Sequence, residues 1–128
     1  MASKKILVID DEPEMLNLVR FTLERAGYEV STCDNGRQAW DTIVKTGPDL
    51  LILDVMLPGI DGYSLQIKIS QDENTKHIPI IVLTALEPSK TLFQKFSQVA
   101  GFMTKPFKTE ALVETVQKAI GKAQSAQA

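Results

Sequence analysis

Three short and uninterrupted apolar runs restrict the fold of this chain more than any other feature of its sequence. They cover residues 6–9 (ILVI), 50–53 (LLIL) and 78–83 (IPIIVL). A strand that is apolar at every position is expected where both faces of a sheet are covered, as in parallel sheets flanked by helices. The three runs therefore predict the central strands of a parallel α/β sheet.

Two weaker segments complete the predicted sheet. Residues 28–32 (YEVST) alternate between apolar and polar side chains, and residues 101–104 (GFMT) form a very short run. Alternation indicates a strand with one solvated face, and short strands are common where a sheet ends. We therefore expect these two segments to form the edges of the sheet.

Amphipathic helical segments separate the five predicted strands. The first begins at Pro13, a residue suited to the opening turn of a helix, and Gly27 follows as its expected stop. The last has an apolar stripe at helical spacing with Gly121 after it, whereas the fourth, near residues 88–98, has the weakest pattern. The alternation of strands and helices with short connections predicts a doubly wound parallel sheet with helices on both faces.

The size and composition of the chain indicate one globular domain. Its 128 residues are 44% hydrophobic and 23% charged. We expect this domain to span residues 1–121 and residues 122–128 (KAQSAQA) to form a flexible tail. A formal charge of −2 gives no general attraction to nucleic acids or anionic membranes, and no apolar run approaches the ~20 residues of a membrane span. With Cys33 as its single cysteine the chain can form no intrachain disulfide, and a cytoplasmic location is expected.

Reactive side chains follow four of the predicted strands, at the end where each strand finishes. Asp10 and Asp11 follow the first strand, Asp54 the third, Thr84 the fourth and Lys105 the fifth. In open parallel sheets the functional crevice lies beyond the carboxyl ends of the strands. We therefore predict that these residues belong to one site.

The three aspartates at these strand ends favour a bound divalent cation. If the first and third strands are neighbours, their ends lie ~4.8 Å apart, and Asp54 faces Asp10 and Asp11. Two like charges ~4 Å apart repel by about 4 kcal/mol at an effective dielectric of about 20, so such a group either raises a pKa or holds a cation. Since all the donors are hard oxygens and neither histidine nor cysteine is at hand, Mg²⁺ is the expected ion.

A lysine and a hydroxyl extend this metal site into a site for a phosphoryl group. Lys105 would start two strand spacings from Asp54, roughly 9–10 Å at the backbone, which a long and flexible ammonium side chain can bridge. Thr84 would supply a short hydroxyl from one spacing away. A carboxylate, a metal ion, a fixed cation and a hydroxyl around one point predict phosphoryl transfer, with Asp54 as a nucleophile that forms an acyl phosphate.

Four stretches of the chain resemble the receiver domain of response regulators in bacterial two-component signalling. They are ILVIDDEP, PDLLILDVMLPGIDG, IPIIVLTA and FMTKPF, and the resemblance extends from about Lys4 to Ile120. It implies a flavodoxin-like three-layer sandwich, with a five-stranded parallel sheet in the order 2-1-3-4-5 and five helices. It also implies a phosphorylation-activated switch that catalyses only its own phosphorylation and dephosphorylation.

The resemblance implies a role for each residue of the predicted site. Asp54 would be the phosphoacceptor. Asp10 and Asp11 would hold Mg²⁺ together with Asp54 and the backbone carbonyl of Met56. Lys105 would contact the phosphoryl group, from a backbone that is cis at the following proline.

The same resemblance implies a switch and its partners. Thr84 would move toward the phosphate, and Phe102 would rotate inward as the switch aromatic. The phosphoryl group would come from a sensor histidine kinase or a histidine phosphotransfer protein. The output would be altered contacts of the fourth helix, fifth strand and fifth helix with a downstream protein, without direct binding of nucleic acid or membrane.

One departure from the family pattern and two alternative functions stay open. Gln98 stands where members of this family usually carry a glycine-containing turn, so the departure lies at the exit of the fourth helix. A phosphatase of the haloacid-dehalogenase type also uses a strand-end aspartate, a lysine and a threonine, but Met56 occupies the position of its second carboxylate. The other alternative is a phosphorylation-independent receiver-like binding module.

Overall fold

The computed structural model of the chain describes residues 4–54, 62–84 and 98–127. The strands are β1 (Lys5–Ile9), β2 (Glu29–Cys33), β3 (Leu50–Leu53), β4 (Ile80–Thr84) and β5 (Val99–Thr104). The described helices are α1 (Pro13–Arg25), α2 (Ala39–Thr46), α3 (Gly62–Gln71) and a C-terminal helix (Thr109–Gln127). All five strands are parallel, in the order β2-β1-β3-β4-β5. The predicted sheet and its order are confirmed, and the helix expected near residues 88–98 falls almost entirely outside the described residues.

The sheet lies between two apolar layers, one on each face. Alternate residues of β1, β3 and β4 enter opposite layers. One layer is completed by α2 and α3, and the other by α1 and the C-terminal helix. The apolar residues of these three strands are all buried, which explains why their sequences carry no alternation. β2 and β5 lie at the two edges, as predicted, and are less buried.

The bounds of α1 follow from its sequence. Pro13 takes the first helical position, where its missing N–H costs little because that group has no partner within a helix. Leu16, Val19 and Leu23 form the buried stripe. Beyond the helix the chain turns at Gly27, whose φ of 101° is a conformation that favours glycine. The helix therefore starts directly after the acidic segment that follows β1.

The C-terminal helix is longer than its sequence pattern predicts. Gly121, expected to follow the helix, lies inside it, and the helix continues to Gln127. A glycine in a helix interior costs about 1 kcal/mol relative to alanine, which the alanine, lysine and glutamine residues around it can offset. The domain boundary at residue 121 and the flexibility of residues 122–128 stay predictions. No described helix, this one included, has both the length and the apolar character needed to cross a membrane.

A register shift in β5 decides which way its side chains face. Between Val99 and Gly101 the pairing advances by two residues on β5 but by one on β4, so Ala100 is an extra residue. Side chains of a regular strand alternate between faces, and an extra residue interrupts that alternation. Val99 and Phe102 consequently pack against the same layer, the one completed by α2 and α3.

Gln98, the departure from the family pattern, is a buried residue that anchors the start of β5. Its Nε2 donates to the backbone carbonyl of Thr75 over 2.7 Å, and its own carbonyl accepts from the N–H of Ile80 over 2.9 Å. Its Oε1 lies 3.5 Å from Nε2 of Gln66, a fully buried residue of α3. The side-chain amide therefore ties the entrance of β5 to the segment between α3 and β4.

Candidate functional site

The carboxyl ends of β1 and β3 hold two buried aspartates side by side. The last residues of these strands, Ile9 and Leu53, are paired in register, so Asp10 and Asp54 follow at the same level. The N–H of Asp54 donates to the carbonyl of Ile9 over 2.9 Å, and the N–H of Asp10 donates to the carbonyl of Cys33 over 3.1 Å. Both aspartates are buried. The backbone ladder thus continues one residue beyond the strands and fixes both carboxylates at the sheet edge.

Lys105 reaches these carboxylates from the far edge strand. It follows Thr104, the last residue of β5, and its peptide bond to Pro106 is cis, as the resemblance implies. Its Nζ donates to Asp54 Oδ2 over 2.9 Å and lies 2.7 Å from Asp10 Oδ2. Because β4 separates β3 from β5, the side chain bridges two strand spacings. The structure therefore brings the predicted lysine and two of the predicted aspartates together.

A third carboxylate contacts the same ammonium group. Glu12 Oε1 accepts a hydrogen bond from Lys105 Nζ over 2.8 Å. Glu12 is the N-cap residue of α1, yet its side chain makes no capping hydrogen bond, and its backbone N–H donates to Asp10 Oδ1 over 2.9 Å. The sequence pattern predicts no contact between Glu12 and the lysine. In the sequence, the only indication of such a contact is that Glu12 directly follows the two aspartates.

Four acidic residues place oxygens close enough to share one cation. One carboxylate oxygen from each of Asp10, Asp11, Glu12 and Asp54 lies within 4.8 Å of the others. Within the described part of the chain, Asp10 Oδ2 is buried and accepts no hydrogen bond, so its short contact with the ammonium is an ion pair without hydrogen-bond geometry. A buried carboxylate oxygen with spare capacity beside three further hard donors suits Mg²⁺. The residues present therefore fit the ion that the sequence predicts.

Burial and neighbouring charges shift the ionisation of this site. Burial raises the pKa of Asp10 above its usual 3.8, the charge of Asp54 acts in the same direction, and the ammonium and the N–H of Glu12 offset this only in part. Burial lowers the pKa of Lys105, but its contacts with Asp10, Glu12 and Asp54 outweigh that effect and raise the pKa overall. The lysine is therefore cationic at neutral pH, one ammonium among several carboxyl groups.

The other predicted residues are described to different extents. Thr84 is the last residue of β4 and pairs in register with Thr104, although its hydroxyl belongs to the part of the structure that is not described. Phe102 is half-buried against the layer completed by α2 and α3. Met56 lies outside the described residues, so its carbonyl as a metal ligand stays a prediction. The switching roles of Thr84 and Phe102 also stay predictions.

The sequence and the fold both match one family. The family model for the response regulator receiver domain matches residues 6–117. The phosphate regulon transcriptional regulatory protein PhoB of Pseudomonas aeruginosa is 41% identical over 114 residues, which are 88% of this chain and 50% of PhoB. The chain spans about half the length of the curated relatives it matches.

Solved structures of receivers have the same fold. The chemotaxis response regulator CheY4 of Vibrio cholerae superposes with a TM-score of 0.84 at 33% identity, covering 92% of this chain and 99% of that one. The receiver domain of a sensor histidine kinase from Pseudomonas aeruginosa superposes with a TM-score of 0.83 at 31% identity, covering 94% and 99%, and carries a magnesium ion coordinated in its active-site cleft. This chain belongs to the response regulator receiver domain family. It is a receiver of two-component signalling, a class of switches rather than of conventional enzymes.

Proposed function

We propose that the chain accepts a phosphoryl group on Asp54 in a reaction that depends on Mg²⁺. The observation that carries this proposal is the buried Asp54 carboxylate, held 2.9 Å from Lys105 Nζ beside further carboxylates. One oxygen of Asp54 would form the new O–P bond while the bond from phosphorus to the donor breaks, which leaves an acyl phosphate. Lys105 would then contact the phosphoryl oxygens, since its ammonium already lies at the accepting carboxylate.

The acidic residues beside Asp54 would hold the magnesium ion. Asp10 and Asp11 supply two of the oxygens, and Asp54 supplies a third from the same cluster. When bound, the ion supplies positive charge that offsets the negative charge of the carboxylates and of the phosphoryl group. Two of these carboxylates, those of Asp10 and Asp54, are buried and are held side by side by backbone hydrogen bonds, so that little rearrangement of them is needed when charge develops.

Membership in the receiver family supports a proposal for the phosphoryl donor. The phosphoryl group would come from a sensor histidine kinase or a histidine phosphotransfer protein. The transcriptional role in the name of PhoB is stated of that protein, of which this chain covers half. We propose instead an output through protein contacts of β5, the C-terminal helix and the segment before β5, in a cytoplasmic receiver domain of residues 1–121. The phosphorylation-independent binding module is not favoured, because the carboxylates and the lysine are in place and in contact.

Intact-mass measurement after incubation with acetyl phosphate and Mg²⁺ tests this function. The wild-type chain should gain the mass of one phosphoryl group, and chelation of the metal by EDTA should prevent the gain. Asp54→Asn should fold but gain no mass. Asp34→Asn is the matched control, because it removes an exposed carboxylate that follows β2 at the same edge of the sheet. An adduct on the Asp54→Asn chain, or none on the wild type, would overturn the assignment.

A further inference from the structure

The ammonium of Lys105 lies among the oxygens that suit the metal ion. Its Nζ is 2.7 Å from Asp10 Oδ2, 2.8 Å from Glu12 Oε1 and 2.9 Å from Asp54 Oδ2. The same three residues belong to the group whose oxygens lie within 4.8 Å of one another. Two cations that share the same oxygens repel each other and compete for the same lone pairs. The lysine must therefore give up some of these contacts when the cluster holds a divalent cation.

Glu12 differs from the two aspartates in its position. The side chains of Asp10 and Asp54 are 1% and 5% exposed, whereas that of Glu12 is 60% exposed and lies at the mouth of the site. The backbone of Glu12 is nevertheless fixed, because its N–H donates to Asp10 Oδ1 and its carbonyl accepts from the N–H of Leu16. Its carboxylate caps no N–H of α1 and is directed to the ammonium instead. Glu12 can therefore hold the ammonium outside the buried pair of aspartates.

We infer that Glu12 is a positioning residue that retains the ammonium of Lys105 when Asp10 and Asp54 are needed for the cation. Glu12 thereby strengthens the binding of Mg²⁺ to the cluster. Without Glu12, the partners left to the ammonium among residues 4–54, 62–84 and 98–127 are the two buried aspartates, and it competes more strongly for their oxygens. The inference rests on the proposed function only in using the same metal site.

A direct role for Glu12 makes a different prediction. If Glu12 were itself a metal ligand, or acted only as one more negative charge, its removal would weaken Mg²⁺ binding whether or not the lysine is present. If it acts by retaining the ammonium, its effect requires Lys105. Removal of both residues therefore separates the two roles. An effect of Glu12 that acts through Lys105 disappears when the lysine is absent, whereas a direct effect on the metal ion remains.

A double-mutant cycle on the dissociation constant for Mg²⁺ tests this inference. The constant is measured by NMR chemical-shift titration at fixed ionic strength, without any phosphoryl donor, for the wild type, Glu12→Gln, Lys105→Met and the double variant. We expect Glu12→Gln to raise the constant about two- to fivefold more in the wild-type background than in the Lys105→Met background, the range of a partly exposed ion pair. Equal effects in both backgrounds would overturn the inference.

The controls keep this outcome separate from other causes. Glu14→Gln removes the same charge from an exposed position on the first turn of α1 and should show no such dependence on Lys105. The NMR spectra report whether each variant is folded, and Lys105→Gln replaces Lys105→Met in the cycle if the methionine variant is not. Equal effects together with an Asp54 adduct would overturn this inference alone. A coupled effect without an adduct would overturn only the proposed function, and no Mg²⁺ binding to the wild type would overturn both.

Discussion

Lys105 Nζ donates to Asp54 Oδ2 over 2.9 Å, although β4 lies between the strands that carry the two residues. One flexible side chain thus joins two strand ends that share no hydrogen bond in the sheet. Lysine suits this task because it places a compact charge at the end of a long unbranched stem. Among the described residues, the ammonium of Lys105 is the one side-chain cation in contact with both buried carboxylates.

Loss of that ammonium should make the stability of the chain depend on Mg²⁺. Lys105→Met leaves buried carboxylates without their cation, and we expect it to lower the free energy of unfolding by about 3 kcal/mol in the absence of divalent ions. Mg²⁺ should recover much of this loss, because an ion that binds only the folded state stabilises it. Urea denaturation with and without Mg²⁺ measures both effects. A variant whose stability responds to Mg²⁺ no more than the wild type does would contradict the prediction.

Asp10→Asn should stabilise the folded chain at neutral pH. The pKa of Asp10 is raised by burial, so the stabilisation it confers is present below its unfolded pKa and is lost as the pH rises through the raised folded pKa. Asparagine is uncharged both at low pH and at neutral pH, so it does not contribute this pH dependence. The variant should therefore have the larger free energy of unfolding at neutral pH, and the difference should shrink as the pH falls toward 3.8, the usual pKa of an aspartate.

Denaturation across a pH series without divalent ions measures this difference. Asp34→Asn, at an exposed position, is the control that shows the effect of removing a carboxylate in general. A difference that does not change with pH would count against the role assigned to burial.

Gln98 and Gln66, which are both buried, should differ in their contribution to stability. Gln98→Leu removes the side-chain donor to the carbonyl of Thr75, which keeps a backbone hydrogen bond from the N–H of Ile78, so the loss should be about 0.5–1.5 kcal/mol, the usual net contribution of one hydrogen bond. Gln66→Leu should cost less, because its Oε1 is buried without a hydrogen bond among the described residues and its Nε2 makes only a long contact of 3.5 Å. Thermal and urea unfolding of the two variants compare them directly. Equal losses would show that the amide of Gln98 has no special anchoring role.

A side chain at position 101 should collide with the C-terminal helix. A Cβ added to Gly101 would lie 2.9 Å from Thr115 Cγ2, closer than carbon atoms normally approach. We expect Gly101→Ala to cost about 1–2 kcal/mol, a modest overpacking penalty. Thr115→Ser removes that methyl group and keeps the hydroxyl that donates to the carbonyl of Ala111. The double variant should recover most of the lost stability, which calorimetry measures. If it recovers none, the contact with the methyl group of Thr115 is not the cause of the destabilisation.

The sequence carries enough information to place the site because strand ends are easy to locate. Apolar runs that stop at Asp10 and Asp54 mark where two strands finish, and parallel strands finish at the same edge. The order of the strands in the sheet cannot be located in the same way, because the apolar runs are too similar to show which strands are neighbours. That order came from the resemblance to receivers, and the structure bears it out.

Side-chain contacts across the fold could not be predicted in the same way. The exposed Glu12 reaches Lys105 instead of capping its own helix, a choice that depends on where the lysine lies in space. Gln98 departs from the family pattern, and only the folded chain shows that the carbonyl of Thr75 is its partner. The prediction that the last helix ends before Gly121 is wrong, because a single glycine among strong helix formers is too weak a signal to end a helix.

The extra residue at Ala100 separates two parts of the chain that differ in their tolerance of insertions and deletions. From Gly101 onward each residue of β5 is matched one to one with β4, up to the pair formed by Thr84 and Thr104. An insertion or deletion within that matched stretch would turn Phe102 toward the opposite layer or carry Lys105 away from the acidic cluster. Length changes before Val99 leave the interval from Phe102 to Lys105 intact. Changes in chain length before β5 can therefore accumulate without moving the lysine proposed to contact the phosphoryl group.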